Sequence, residues 1–440
     1  MTIQRMMSVY FPVIVSAYCF EGFRGGYANL FYGSTGIAAL LAAAVCFFSR
    51  KLYKYRDVQL LLLISLMAWI SSVVSFGFSI WFFLSSYFTN WVLLLSLYFI
   101  MRSSEEPDAL LFKYARLSAA VLSALCLISL AYATSSLTLP VPTHDRTYGS
   151  FQLGRFTAMG NANSIGRCCF ALIILSVFCI LRVSGKHRLP YCASALIGWF
   201  CLGLTNSRSA IICVSFSLGL IAFFIIMHRS SQSGRNKFLR SLMAAAAAVL
   251  VFLIAIESFY IPTPAYRLIV TGYAKASGEQ YLLANISIPS SRDMTSDLET
   301  MGDRILIWDK CIESVFSTPR RTWLGISHIN ADRIPGVYPG HHEILTVNAH
   351  NIVFELLMME GVTGLLIWLI LIIMWCAKGI KILFDPSAPV SARYISAAAA
   401  AILLNGTVEA VPFSNTAGSY LSVPFYIFCA WCMNGRRNSK

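Results

Sequence analysis

Long apolar runs separated by short polar connections dominate this chain. A helix that crosses a bilayer core needs about 20 apolar residues. Runs near that length fall at 6–20, 28–48, 58–76, 86–101, 109–132, 162–181, 189–204, 209–228, 239–257, 346–377, 394–410 and 418–433. The pattern predicts an all-α polytopic membrane protein with about twelve transmembrane helices. The 32-residue run 346–377 corresponds to about 48 Å of helix, longer than a bilayer core of about 30 Å. A break is expected near Gly361-Val362-Thr363-Gly364. The first half of that run would then lie along the interface.

Composition removes the soluble alternative. Hydrophobic residues make up 57% and charged residues 12%, against about 45–50% and about 25% in soluble domains. Mean hydropathy is +0.66. The formal charge is +14, which in a soluble protein would suggest nucleic acid. Here every second connection is basic, the pattern that sets membrane topology, so no nucleic-acid partner is expected. With both termini in the cytoplasm, the inner segments hold 21 basic and five acidic residues. No cleavage site follows the first apolar run, which reads as a membrane helix and not a removable signal. Of thirteen cysteines, only Cys429 and Cys432 form a Cys-x-x-Cys pair. That pair lies in an apolar run with no second pair to complete a zinc site.

The same alternation places 258–345 outside, as an external subdomain inserted in a membrane domain that is otherwise the whole chain, 1–440. This segment carries eight basic and nine acidic residues and is too long for a mere connector. Part of it reads as helix: Ile305, Trp308, Cys311, Ile312 and Val315 recur at helical spacing. Thr300 and Asp303 resemble a capping box at its start.

Ionisable residues at membrane depth are costly and usually functional, and three segments carry them. Thr205-Asn206-Ser207-Arg208-Ser209 is a tight outer turn. There Arg208 either snorkels to headgroups or binds an anion with the neighbouring hydroxyls. Gly302-Asp303-Arg304-Ile305 opens the loop helix. There Arg304 is either a solvated surface cation or sits beside backbone N–H groups that favour an anion. Asn348-Ala349-His350-Asn351-Ile352-Val353-Phe354-Glu355 begins the long run after the loop. On a helix His350 would share a face with Phe354, and Asn351 with Glu355. Arg167, one turn into its own span behind Gly160-Asn161-Ala162-Asn163-Ser164, is a further candidate. His341-His342 has no spaced set of further ligands, so no metal and no cofactor is expected.

Asn-Ser-Arg-Ser-Ala at 206–210, Gly-Asp-Arg-Ile-Leu-Ile-Trp at 302–308, and Ala-His-Asn-x-x-x-Glu at 349–355 with Glu-Gly-x-x-Gly at 360–364 resemble the O-antigen ligase/polymerase superfamily, over roughly 150–380. The resemblance implies a GT-C-like membrane glycosyltransferase with one large, partly helical external loop. It implies transfer of a glycan from undecaprenyl diphosphate on the outer face of the cytoplasmic (inner) membrane. Ligases of that family pass the glycan to lipid A–core, and polymerases pass it to another lipid-linked repeat. The flavour of the motifs here leans to the polymerases. The resemblance carries Arg208, Arg304 and His350 as functional positions. Implied partners are the donor, a glycan or glycolipid acceptor, the lipid bilayer, and other membrane proteins of polysaccharide assembly.

The chemistry agrees with this reading. Breaking a sugar–diphosphate bond develops negative charge on the leaving group. The chain has no Asp-x-Asp to hold a metal there, but arginine pairs phosphate bidentately and stays charged. The acceptor hydroxyl needs a base, for which His350 is suited and Glu355 is the reserve. Expected donor-binding residues are Arg208, Arg304, Asn351, Glu355 and Arg167. A lipid-linked glycan flippase is the competing class, although the two related halves common in transporters are not evident. A metal-dependent enzyme using Glu21 is a third reading.

Overall fold

The computed structural model describes residues 26–76, 89–136, 151–152, 155–156, 162–231, 237–278, 295–326, 349–409 and 421–434. These are helical apart from short turns and one two-residue antiparallel pair, Phe151–Gln152 with Arg155–Phe156. In chain order the helices are α1 (Gly26–Ser49), α2 (Arg56–Phe76), α3 (Thr89–Ser103), α4 (Pro107–Ser136), α5 (Ala162–Arg182), α6 (Leu189–Thr205) and α7 (Arg208–Ser231). They continue as α8 (Lys237–Ser258), α9 (Pro262–Ser277), α10 (Thr295–Phe316), α11 (Pro319–Leu324), α12 (Ile352–Phe384), α13 (Val390–Asn405) and α14 (Ser422–Asn434). The predicted span 6–20 lies outside the described residues; the described parts of the other predicted runs fall on helices, except that 346–377 begins before Ile352 and 394–410 runs past the helix end at Asn405. Six helical stretches among the described residues are long and apolar enough to cross a membrane, including Ala162–Arg182 and Ile352–Phe384. The chain is a multi-pass membrane protein, almost wholly helical among the described residues.

The chain divides into two compact units. The first comprises 1–32, 108–291 and 381–401, the second 33–107, 292–380 and 402–440. In the first, α5 is the buried centre, with Ile165, Phe170, Leu172 and Phe178 enclosed. A smaller cluster joins Phe224 of α7 to Leu383 and Ala397. Nearby, the buried Arg393 donates from Nη2 to the carbonyls of Asp385 (2.7 Å) and Pro386 (3.2 Å). Backbone oxygens thus take the charge that an apolar setting would otherwise penalise.

The second unit has an aromatic core. Trp91 packs edge-on against Trp368 (5.6 Å) and Tyr426 (6.0 Å), and Trp375 against Phe425 (5.6 Å). Such geometry adds about 0.5–1.5 kcal/mol per pair beyond area burial. A polar chain threads this core. Trp375 Nε1 donates to Tyr98 Oη (3.2 Å), whose hydroxyl donates to Asp57 Oδ2 (2.6 Å). Asp57 also accepts from Arg102 Nε at 3.0 Å.

The expected break in α12 is present. Gly361 has φ 67° and ψ −167° inside the helix, a region essentially reserved for glycine. A kink frees carbonyls of the preceding turn, and buried carbonyls must be paired. The Met358 carbonyl accepts from Ile326 N (2.6 Å), and the Met359 carbonyl from Ser71 Oγ (2.9 Å). Backbone meets backbone there. A Cβ on Gly361 would lie 2.6 Å from Gly325 N, and a Cβ on Gly325 2.6 Å from Gly361 N. The end of the loop segment is therefore fastened to the kink by two side-chain-free positions.

The loop helix departs from expectation in two respects. It starts at Thr295, so Thr300 and Asp303 lie inside it and do not cap it. Its buried face is Ile307, Cys311 and Val315, with Trp308 partly buried, whereas Ile305 and Ile312 are exposed. The apolar stripe is wide enough for two faces to fit the spacing, and packing on α12 selects one of them.

Candidate functional site

Four consecutive residues follow α13: Gly406, Thr407, Val408 and Glu409. Each is held by a different group of the second unit. The Gly406 carbonyl accepts from Ile352 N (2.8 Å). The Thr407 carbonyl accepts from Asn351 Nδ2 (2.9 Å), and the Val408 carbonyl from Arg304 Nη1 (3.1 Å). Glu409 Oε2 lies 3.5 Å from His350 Nδ1, the carboxylate buried and the imidazole one-third exposed. The structure thus brings Arg304, His350 and Asn351 to one turn.

The local chain explains these positions. Asn351 caps α12, its Oδ1 accepting from Val353 N at 2.8 Å, the role for which Asn is suited. Glu355 reaches back to accept from Ala349 N at 3.0 Å and is buried. His350 lies between these two and has φ 50°, uncommon for a residue with a Cβ. It precedes the helix, so the expected shared face with Phe354 is not formed. The cap at Asn351 stops the helix one residue too late to include it. Glu355, expected as a reserve base, instead secures the backbone on which His350 sits.

Beneath the site, α10 docks on α12. Trp308 Nε1 donates to the Ala349 carbonyl (2.8 Å), and its ring stacks on Phe354 with centroids 5.1 Å apart and planes at 16°. Ile307, Cys311, Val315, Ile326, Ala349 and Met358 close the core around them. Burial pushes the Cys311 thiol up to about 12, and the Glu355 carboxylate adds to the effect. Cys311 therefore packs and does not serve as a nucleophile. Arg304 lies well inside α10, not at its N-terminus, so the expected help from free helix N–H groups is withdrawn. Among the described residues its hydrogen bond is the one to Val408, which leaves further donors of its guanidinium for an anion.

Arg167 and Arg208 belong to the first unit. Arg208 opens α7, with Ser207 between it and the left-handed Asn206 (φ 49°) that closes α6. Thr205 Oγ1 accepts from Ser207 N at 3.3 Å, fixing the turn. Gly166 of α5 lies under it: a Cβ there would meet Ser207 Cβ at 2.6 Å and Oγ at 2.8 Å. That contact joins the residues immediately preceding Arg167 and Arg208. Arg167 Nη2 donates to Ser164 Oγ at 3.2 Å. Gly160, Asn161, His341 and His342 lie outside the described residues.

Two buried carboxylates, Glu360 and Glu409, were not singled out from the sequence as site residues. Glu409 sits inside the predicted run 394–410. An acid within an apolar run is by itself a functional signal, and it was legible there. Among the described residues no group of three or more metal-ligating side chains is assembled.

Residues 193–369 match the family model described as O-antigen ligase. The match contains Arg208, Arg304, His350, Asn351 and Glu355, and leaves out Arg167 and Glu409. No curated protein matches the chain.

Proposed function

We propose that this chain, whose residues 193–369 form a domain of the O-antigen ligase family, is a metal-independent, inverting glycosyltransferase of GT-C-like, twelve-span design. Its donor is a glycan on undecaprenyl diphosphate at the outer face of the cytoplasmic membrane, both termini lie inside, and it acts as a polysaccharide polymerase. The observation that carries the reading is the turn 406–409, on which Arg304 and His350 meet. A cation and a potential base on one hydrogen-bonded turn suit a reaction that needs both.

In the proposed step, His350 Nε2 takes the proton of the acceptor hydroxyl. That oxygen forms the new bond to the anomeric carbon as the carbon–oxygen bond to the diphosphate breaks. The electron pair leaves on undecaprenyl diphosphate, and the anomeric centre inverts. Arg304 stabilises the developing charge, an effect worth about 3 kcal/mol for one well-placed donor. Arg208 and Arg167 are proposed as further cations for the anionic donor. Glu409, 3.5 Å from Nδ1, is proposed to balance the imidazolium that forms. Asn351 and Glu355, proposed from sequence as donor ligands, are better supported as the frame of the site, since both are engaged with backbone.

The test is reconstitution of the purified protein with lipid-linked repeats, with and without lipid A–core. A ladder of products from the repeats alone is expected. A single product that appears only with lipid A–core would make the enzyme a ligase.

A further inference from the structure

The second unit holds a cavity of about 290 Å³ that the proposed reaction does not use, lined by Arg50, Tyr55, Arg102, Ser103, Lys378 and Asn434 among others. It lies where α1, α3 and α14 end. Arg50 and Lys378 are among the residues that the positive-inside pattern assigns to the cytoplasmic face, so the cavity belongs to the side opposite the external loop.

Cations at helix C-termini often do no more than balance the last carbonyls. Here that task is partly filled by another group. Asn434 Nδ2 donates to the carbonyls of Ser104 (2.8 Å) and Met101 (3.3 Å) at the end of α3. Arg102 is also unusually fixed for such a residue. Its side chain is 9% exposed, and its Nε is bound to Asp57 at 3.0 Å. Its guanidinium lies 4.2 Å above the Tyr55 ring. Among the described residues its terminal nitrogens have no hydrogen-bond partner. Arg50 pairs with Glu105 at 2.7 Å, but both side chains are about half exposed or more. Such a pair is weak and easily exchanged.

We propose that this cavity binds a phosphate-ester group, in the membrane the headgroup of an anionic phospholipid of the leaflet it faces. The arginine fork matches phosphate oxygens bidentately. Basic pockets between helices at the cytoplasmic side are suited to such headgroups. The volume, at the lower bound of ligand pockets, fits a headgroup and not a whole lipid. Tyr55 and Asp57 hold the Arg102 plane in place before the ligand arrives, which lowers the cost of binding.

The test is native mass spectrometry of the purified full-length chain with dioleoyl phosphatidylglycerol, dioleoyl phosphatidylcholine, glycerol 3-phosphate and inorganic phosphate. Phosphatidylglycerol should bind saturably and more tightly than phosphatidylcholine. Arg50→Gln and Lys378→Gln should each weaken it about five-fold, the usual weight of one surface cation. Neither residue is enclosed, so both variants should fold. Equally tight binding of glycerol 3-phosphate, with the same loss in the variants, would support the phosphate site and make its ligand a soluble ester. Equal binding of the two lipids, or a phosphatidylglycerol affinity that neither variant changes, would overturn the proposal.

Discussion

His350 Nδ1 stands 3.5 Å from the buried carboxylate of Glu409, a residue from a distant part of the sequence. Oxygen near one ring nitrogen fixes which nitrogen is left for chemistry. If His350 is the base, His350→Ala should slow transfer by about 10²–10⁴, the usual weight of such a group. Donor binding should change little. Single-turnover rates beside donor affinity measure both, and a full rate in the variant would move the base elsewhere.

Glu409→Gln keeps the shape but removes the charge opposite the ring. It should lower kcat about tenfold, which corresponds to about 1.4 kcal/mol, with KM for the lipid-linked donor unchanged. A purely structural role would instead lower the folding midpoint and the amount of protein without this split.

Arg304→Ala should abolish transfer while the protein still inserts, because Arg304 touches the site turn through one carbonyl and its other donors are proposed to meet the diphosphate. Arg304→Lys should restore part of the rate, since a point charge replaces the planar fork. Product yield per folded protein, followed by gel sizing, separates these outcomes.

Activity should persist in EDTA. The cationic site and the missing Asp-x-Asp motivate this. Complete loss of turnover that magnesium or manganese restores would be the contrary result.

Gly361→Ala should destabilise the second unit by about 1–3 kcal/mol from backbone strain alone. More is expected, because the new Cβ would lie 2.6 Å from backbone atoms of Trp323 and Gly325. A lower unfolding midpoint in detergent and faster proteolysis near residue 325 would report it. Asp57→Asn should cost about 3–5 kcal/mol through the buried Arg102 it leaves uncompensated, read by the same melts.

Much of this was open to a reader of the sequence alone. Run length and apolar content marked the long apolar helices from Gly26–Ser49 onward, though not α9 or α11 in the external segment, and the glycines at 361 and 364 marked the break, because both signals are local. Arg208 and Arg304 stood out as cations on the outer side, where topology does not need them, and His350 as a potential base at the start of a long apolar run. What did not follow was long-range. The spacing of α10 fits two faces, and its docking on α12 decides between Ile305 and Ile307. The helix start at Ile352 depends on Asn351 turning back to Val353 and across to Thr407. Glu409 was hidden by the apolar residues around it, although its charge was the clue.

Three of the four contacts on the turn 406–409 end on main-chain carbonyls. A carbonyl oxygen is the same whatever side chain its residue bears. Thr407 and Val408 can therefore vary while these three contacts persist, apart from the Thr407 hydroxyl's own bond to the Leu404 carbonyl at 2.8 Å, and alanine scanning would under-report both. Their importance would surface in experiments that alter chain length or peptide geometry: a one-residue deletion, an insertion, or proline at these positions. For a turn held in this way, tolerance to side-chain replacement is no sign of irrelevance.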